Sequence, residues 1–204
     1  MQKDIKAKNF ATFKTCLIKL TNEAQGVSED SIERLIESLG GEEAIMEAPF
    51  ASKAEDGSAE DGALVKNVIK LTKIAKAINE ILPEGVRADE WSLNKVCFLS
   101  HLAKALMYEP NDSTWEVNNK GIMYKFVELE GALRVGERSA LLASNAGIQF
   151  TPEEYEAMRI FDKSREEDTM LKFFSSPISV VVRQANELLF TQNRTEWKNK
   201  TKSS

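Results

Sequence analysis

Apolar residues recur along this chain mainly at helical steps. Phe10, Phe13, Leu17 and Leu20 lie three and four residues apart, which predicts an amphipathic helix over 9–25. Ser28 can cap a second helix, with Glu29 and Asp30 favourable in its first turn and Ile32, Leu35, Ile36 and Leu39 as its apolar face. Gly40 suits a left-handed stop, and a short helix over 42–47 must end before Pro49. Residues 51–62 are small, acidic and glycine-containing and read as a loop. The strongest stripe follows over 62–82, where Leu64, Val65, Val68, Leu71, Ala75, Ile78 and Leu82 share one face and lysines fill the other.

A helix over 88–108 is apolar on most sides and belongs near the middle of the core. The period then changes. Residues 114–117 and 122–126 flank Asn118-Asn119-Lys120-Gly121, which predicts a β-hairpin. Helical spacing returns over 136–146, stopped by Gly147. Thr151-Pro152-Glu153-Glu154 is a capping box with proline at the first helical position, opening a helix that reaches at least Phe161. Ser176-Pro177 opens the last core helix, through about Phe190, and 198–204 is a polar, basic, frayed tail. The expectation is an all-α domain over 27–192 with a small β-hairpin insertion, an N-terminal helical extension over 1–26 and a polar C-terminal tail over 193–204.

Composition narrows the classes. The chain has 204 residues, 42% of them hydrophobic, enough for a sizeable core. A net charge of -5 argues against a sequence-independent nucleic-acid binder, which needs a basic footprint. No apolar run is long enough to cross a membrane, and the polar start from Gln2 to Lys8 is unlike a signal peptide. A cytoplasmic protein is expected, either free in a host cell or in a virion. Cys16 and Cys97, in no CxxC pattern, read as free thiols. There is no P-loop, no GxGxxG before a helix, no GxSxG and no zinc-finger spacing.

Local motifs carry more. Ile32-Glu33-Arg34-Leu35-Ile36 is followed by Ala48-Pro49-Phe50-Ala51-Ser52-Lys53, a glycine-containing loop at Gly62, and a helix. Cys97-Phe98-Leu99-Ser100-His101-Leu102-Ala103-Lys104 comes next, then Tyr108, the hairpin, Gly136-Glu137-Arg138-Ser139, Ala157-Met158-Arg159-Ile160-Phe161-Asp162 and Ala185-Asn186-Glu187-Leu188. In order and spacing, over roughly 27–190, these segments resemble the small HD-type phosphohydrolases common in tailed phages and their hosts. The resemblance implies an HD-type helical fold and a divalent metal held by a His, a His-Asp pair and a distal Asp. Lys66 stands where the first His is expected, with Val65 or Asn67 in a shifted register. Aligned on Lys104, Ser100 and His101 stand on the His-Asp pair; shifted by one, His101 stands on the His and Leu102 on the Asp; Asn186 stands on the last Asp. Phe161 occupies a position that is often His.

A catalytic metal needs several N or O ligands to lower the pKa of its water. A protonated Lys66 repels a metal, Ser100 is a poor neutral ligand, Asn186 lacks the charge and Phe161 cannot ligate. Together these replacements should abolish such a site. No metal, no cofactor and no catalytic residue are therefore expected. The favoured expectation is a catalytically inactive, plausibly phage-encoded module that binds a protein partner, with the segments 9–25, 62–82 and 114–126 as contact surfaces. A second is a sensor holding a nucleotide or other anion in the vestigial pocket through Lys66, Ser100, His101, Lys104, Arg138, Arg159 and Asn186. Against it, Lys66 and Arg138 can simply face solvent or pair with acids such as Glu137. A third is a phosphohydrolase rebuilt from Asp and Glu side chains, of which Asp56, Glu60 and Asp61 form one group and Asp162, Glu166, Glu167 and Asp168 another.

Overall fold

The computed structural model describes residues 2–162 and 176–202. Ten α-helices are found among them: α1 Gln2–Ile18, α2 Glu29–Ser38, α3 Gly41–Glu47, α4 Ala63–Ile81, α5 Glu90–Leu99, α6 Lys104–Met107, α7 Thr114–Lys120, α8 Val135–Asn145, α9 Pro152–Ile160 and α10 Pro177–Lys202. Two strands, β1 Tyr108–Pro110 and β2 Tyr124–Phe126, pair antiparallel with Tyr108 opposite Phe126. The chain is all-α with one small hairpin. No helix among the described residues is long and apolar enough to cross a membrane.

The local start signals act as the sequence indicates. Ser28 and Thr151 each complete a capping box, and Gly40 and Gly147 adopt the left-handed conformation at φ 89° and 95°. At the centre, α10 packs along α4 and α9, and α4 packs along α5. Phe10, Phe13 and Leu17 of α1 sit in the same apolar cluster as Leu64, Leu71, Leu93 and Val182. The N-terminal helix is thus built into the common core.

Four expected elements are placed differently. The first helix, expected over 9–25, runs over Gln2–Ile18, and Glu23–Gln25 forms a separate 3-10 turn. The helix over 88–108 is broken. After α5 the chain tightens into i+3 bonds, with Leu102 N donating to Leu99 O and Lys104 N to His101 O. The amide of Ala103 donates to Ser139 Oγ of α8 at 3.0 Å, so a side chain from another helix stabilises the break. The hairpin is displaced as well. Its first strand is β1, and 114–120 forms the connecting helix α7. Ser113 Oγ accepts from the amide of Glu116, and Gly121 at φ 63° closes the other end. These caps overcome the β preference of Thr114 and Val117. Finally, the polar segment after Phe190 does not fray. It continues α10 to Lys202, held by Asn193 Nδ2 donating to Asn67 Oδ1 at 2.8 Å and by Arg194 bonding Asp56 at 2.9 Å.

Candidate functional site

The break between α5 and α6 creates the most polar part of the interior. It brings His101 and Lys104 to one side of the turn, facing α10 and the end of α9. Together with Tyr108 of β1, Phe126 of β2, Val135, Phe161, Asp162, and Asn186, Glu187, Phe190, Thr191 and Arg194 of α10, they line a cavity of about 610 Å³.

The His101 ring lies between aromatic side chains, 4.6 Å from the Phe50 ring centroid and 4.6 Å from that of Phe161. Its Nε2 is 3.0 Å from Asn186 Oδ1. Asn186 Nδ2 donates to Phe161 O at 3.3 Å, which leaves Oδ1 as the acceptor. The network therefore assigns the ring hydrogen to Nε2 and leaves Nδ1 as a bare lone pair. That Nδ1 is buried and has no hydrogen-bond partner among the described residues. Burial, and then the charge of Lys104, hold the imidazole well below its usual pKa, while the bond to Asn186 opposes them.

Lys104 is 6% exposed. Its Nζ donates to Phe50 O at 2.6 Å and lies 3.7 Å from the centroid of the Phe50 ring and 5.4 Å from that of Phe190. Burial pushes this ammonium down to about 7, opposed by the charges of Asp162 and Asp56. Asp162 responds in the opposite sense. Burial pushes its carboxyl up, against the pull of Arg134, its own backbone amide and Lys104. Its Oδ1 is buried and likewise has no partner among the described residues.

Of the residues proposed from sequence, the fold brings together His101, Lys104 and Asn186. Ser100 is fully buried beside them, but its hydroxyl turns back to Cys97 O at 3.3 Å and does not line the cavity. Lys66 lies elsewhere, on the outer face of α4, where it pairs with Glu60 at 3.5 Å. The inward position is the neighbouring Asn67, which bonds Ser58, Ala63 O and Asn193. Arg138 holds the carbonyls of Glu130 and Gly131. Arg159 lies 3.6 Å from Glu137 with its side chain half-exposed. None of these three lines the cavity. Glu166, Glu167 and Asp168 lie outside the described residues.

Sequence reasoning missed Tyr108, Phe190 and Arg194 as cavity walls. Arg194 was hidden in what read as a tail, and the Phe190 signal was absorbed into the apolar face of a core helix. Among the described residues, no group of three or more His, Cys, Asp or Glu side chains comes together to hold a metal ion. Asp162 shares the cavity lining with Glu187, and among the described residues no third such side chain joins them.

The arrangement can exchange a proton at Asp162, present a cation or a neutral amine at Lys104, and stack a flat group on Tyr108, Phe126 or Phe190. Compared with protein-family models, with curated proteins and with solved structures, the chain gives no match.

Proposed function

We propose that the chain is a non-hydrolysing ligand-binding protein on an HD-like scaffold, taking a nucleotide or similar phosphate ester in the cavity around Lys104. The observation that carries this reading is Lys104, a buried amine that no ion pair joins to a carboxylate among the described residues, on the wall of a cavity that also has Tyr108, Phe126 and Phe190 as faces. Lys104 in its protonated form supplies positive charge for a phosphate, Arg194 stands nearby in its pair with Asp56, and the aromatic walls supply faces for a base.

Thermal denaturation with nucleoside mono- and diphosphates tests it. A ligand at a hundred times its Kd stabilises by about 2.7 kcal/mol. The expected result is a saturable rise in Tm without phosphate release, lost in Lys104→Ala and kept in Lys66→Ala. No rise with any nucleotide or with inorganic phosphate would sink the reading.

A second reading, as a protein-binding module, finds support at the hairpin, where Trp115 and Phe126 are 61% and 63% exposed. Phe10 and Phe13 are core residues at 6% and 0% exposure, so they offer no contact surface. A pull-down that loses its partner in Trp115→Ser with the fold intact would favour this reading over the cavity.

A further inference from the structure

Two lysines are buried among the described residues, and their surroundings differ. Lys95 and Glu154 are paired at 2.6 Å, with both side chains 1% exposed. Lys104 is almost as deeply buried, yet no ion pair joins it to a carboxylate among the described residues. Its amine has one carbonyl, from Phe50, and the faces of two rings. It also opens on a cavity of about 610 Å³, whereas Lys95 lines no comparable space.

An ammonium held this way is poorly compensated for its lost water, and the neutral amine is favoured. A neutral, desolvated lysine beside a cavity is a nucleophile. We infer that Lys104 forms an imine with a small carbonyl compound, an aldehyde or a 2-oxo acid, admitted to this cavity. The inference rests on reading the cavity as a ligand site, and it adds a covalent step that the nucleotide reading does not contain.

In that step the Nζ lone pair adds to the carbonyl carbon and the C=O π bond breaks. A proton passes from nitrogen to that oxygen, giving a carbinolamine. The C–O bond then breaks, the oxygen leaves as water with a second proton, and nitrogen, having given up both hydrogens, is doubly bonded to carbon. Amine and carbonyl become imine and one water, with no oxidant or reductant needed. The Asp162 carboxyl shares the cavity wall and is the group able to move these protons; His101 lies on the same wall with its Nδ1 buried. The other titratable or charged groups around the amine are Tyr108 of β1, Asp56 of the loop before α4, and Glu187 and Arg194 of α10.

The test uses the full chain with glyoxylate as the probe and cyanoborohydride to reduce any imine, with peptide mass mapping from pH 6 to 10. At pH 7 about half of an amine with a pKa of about 7 is neutral, against roughly one part in a thousand for an exposed lysine. Lys104 is expected to be alkylated at least tenfold faster than exposed Lys8 or Lys73, with its rate half-maximal near pH 7. Lys104→Met, which keeps the stem and buries no charge, is expected to keep the fold and lose only the fast site. Labelling of Lys104 no faster than of Lys8 and Lys73 at pH 7 overturns the inference, and this readout needs only the wild-type protein. Nucleotide stabilisation without Lys104 labelling overturns the imine and leaves the nucleotide reading standing. Labelling without nucleotide stabilisation does the reverse.

Discussion

Asn186 determines which nitrogen of His101 carries the hydrogen on one wall of the cavity. His101 is the only histidine in the chain, so its ring signals can be followed by NMR without assignment. The wild-type ring is expected to stay neutral well below pH 6.5, because burial and Lys104 both oppose its charging. Asn186→Asp places a carboxylate against Nε2, which stabilises the imidazolium. The titration midpoint should move upward by a unit or more, roughly the effect of a close opposite charge. An unmoved midpoint would mean that the 3.0 Å contact is absent in solution. A second residue-scale expectation concerns Lys95. Glu154 Oε2 accepts both from Lys95 Nζ at 2.6 Å and from the amide of Thr151 at 2.8 Å, joining an ion pair to a helix cap. Glu154→Gln leaves Lys95 buried without its countercharge and should cost about 3–5 kcal/mol in urea unfolding. Lys95→Met combined with Glu154→Gln should recover much of that loss.

Elements that carry their own local signals were legible in the sequence. The α4 stripe, the Ser28 cap and the Thr151-Pro152 opening of α9 each specify their helix from within a few residues. Elements fixed by distant partners were not. Nothing between Leu99 and Lys104 breaks a helix by composition, and the break depends on Ser139 of α8. Helix α7 had a readable bracket in Ser113 and Gly121, but the β-branched Thr114 and Val117 pointed to a strand. The extension of α10 was invisible because polar contacts hold it, and an apolar stripe does not report Asn193 bonding Asn67. The same limit divides the site residues. His101 and Lys104 are three apart and were found together, whereas Lys66 is one position from the inward-facing Asn67. The extension can be tested directly. Truncation after Gln192 removes the Asn193–Asn67 bond, the Arg194–Asp56 pair and the Lys70–Glu196 pair at 3.2 Å. It also removes the Asn193 carbonyl that comes within 2.1 Å of a Cβ built on Gly57. With about 0.5–1.5 kcal/mol per net hydrogen bond, the loss should be about 1–3 kcal/mol. A truncated chain with an unchanged urea midpoint would restore the view of 193–204 as a tail.

For the whole molecule, the buried titratable groups set an unusual dependence of stability on pH. Where the unfolded chain binds more protons than the folded one, stability rises with pH. Below pH 6.5 this holds for His101, whose folded pKa is depressed, so stability falls as acid charges the unfolded ring. It holds again between about 7 and 10.5 for Lys104, because the unfolded lysine is protonated there and the folded one is not. Above pH 9 the sign reverses. Burial pushes the Cys97 thiol up to about 12, so the folded chain keeps a proton that the unfolded chain releases. The Tyr108 hydroxyl, also pushed up to about 12 by burial, adds the same trend above pH 10. Stability should therefore climb from neutrality to a plateau near pH 9–10, where many proteins are already past their optimum. The climb from pH 7 to pH 9 should be on the order of 2 kcal/mol, from about 1.36 kcal/mol per pH unit for one proton. Urea midpoints at the two pH values measure it. Lys104→Met should abolish the climb while leaving the onset of the fall below pH 6.5, which belongs to His101; Asp162, whose carboxyl is pushed up by burial, opposes that fall at lower pH. A wild-type midpoint equal at pH 7 and 9 would mean that Lys104 keeps its charge in the folded protein. The cavity would then hold a permanent cation, suited to an anion and unsuited to imine formation.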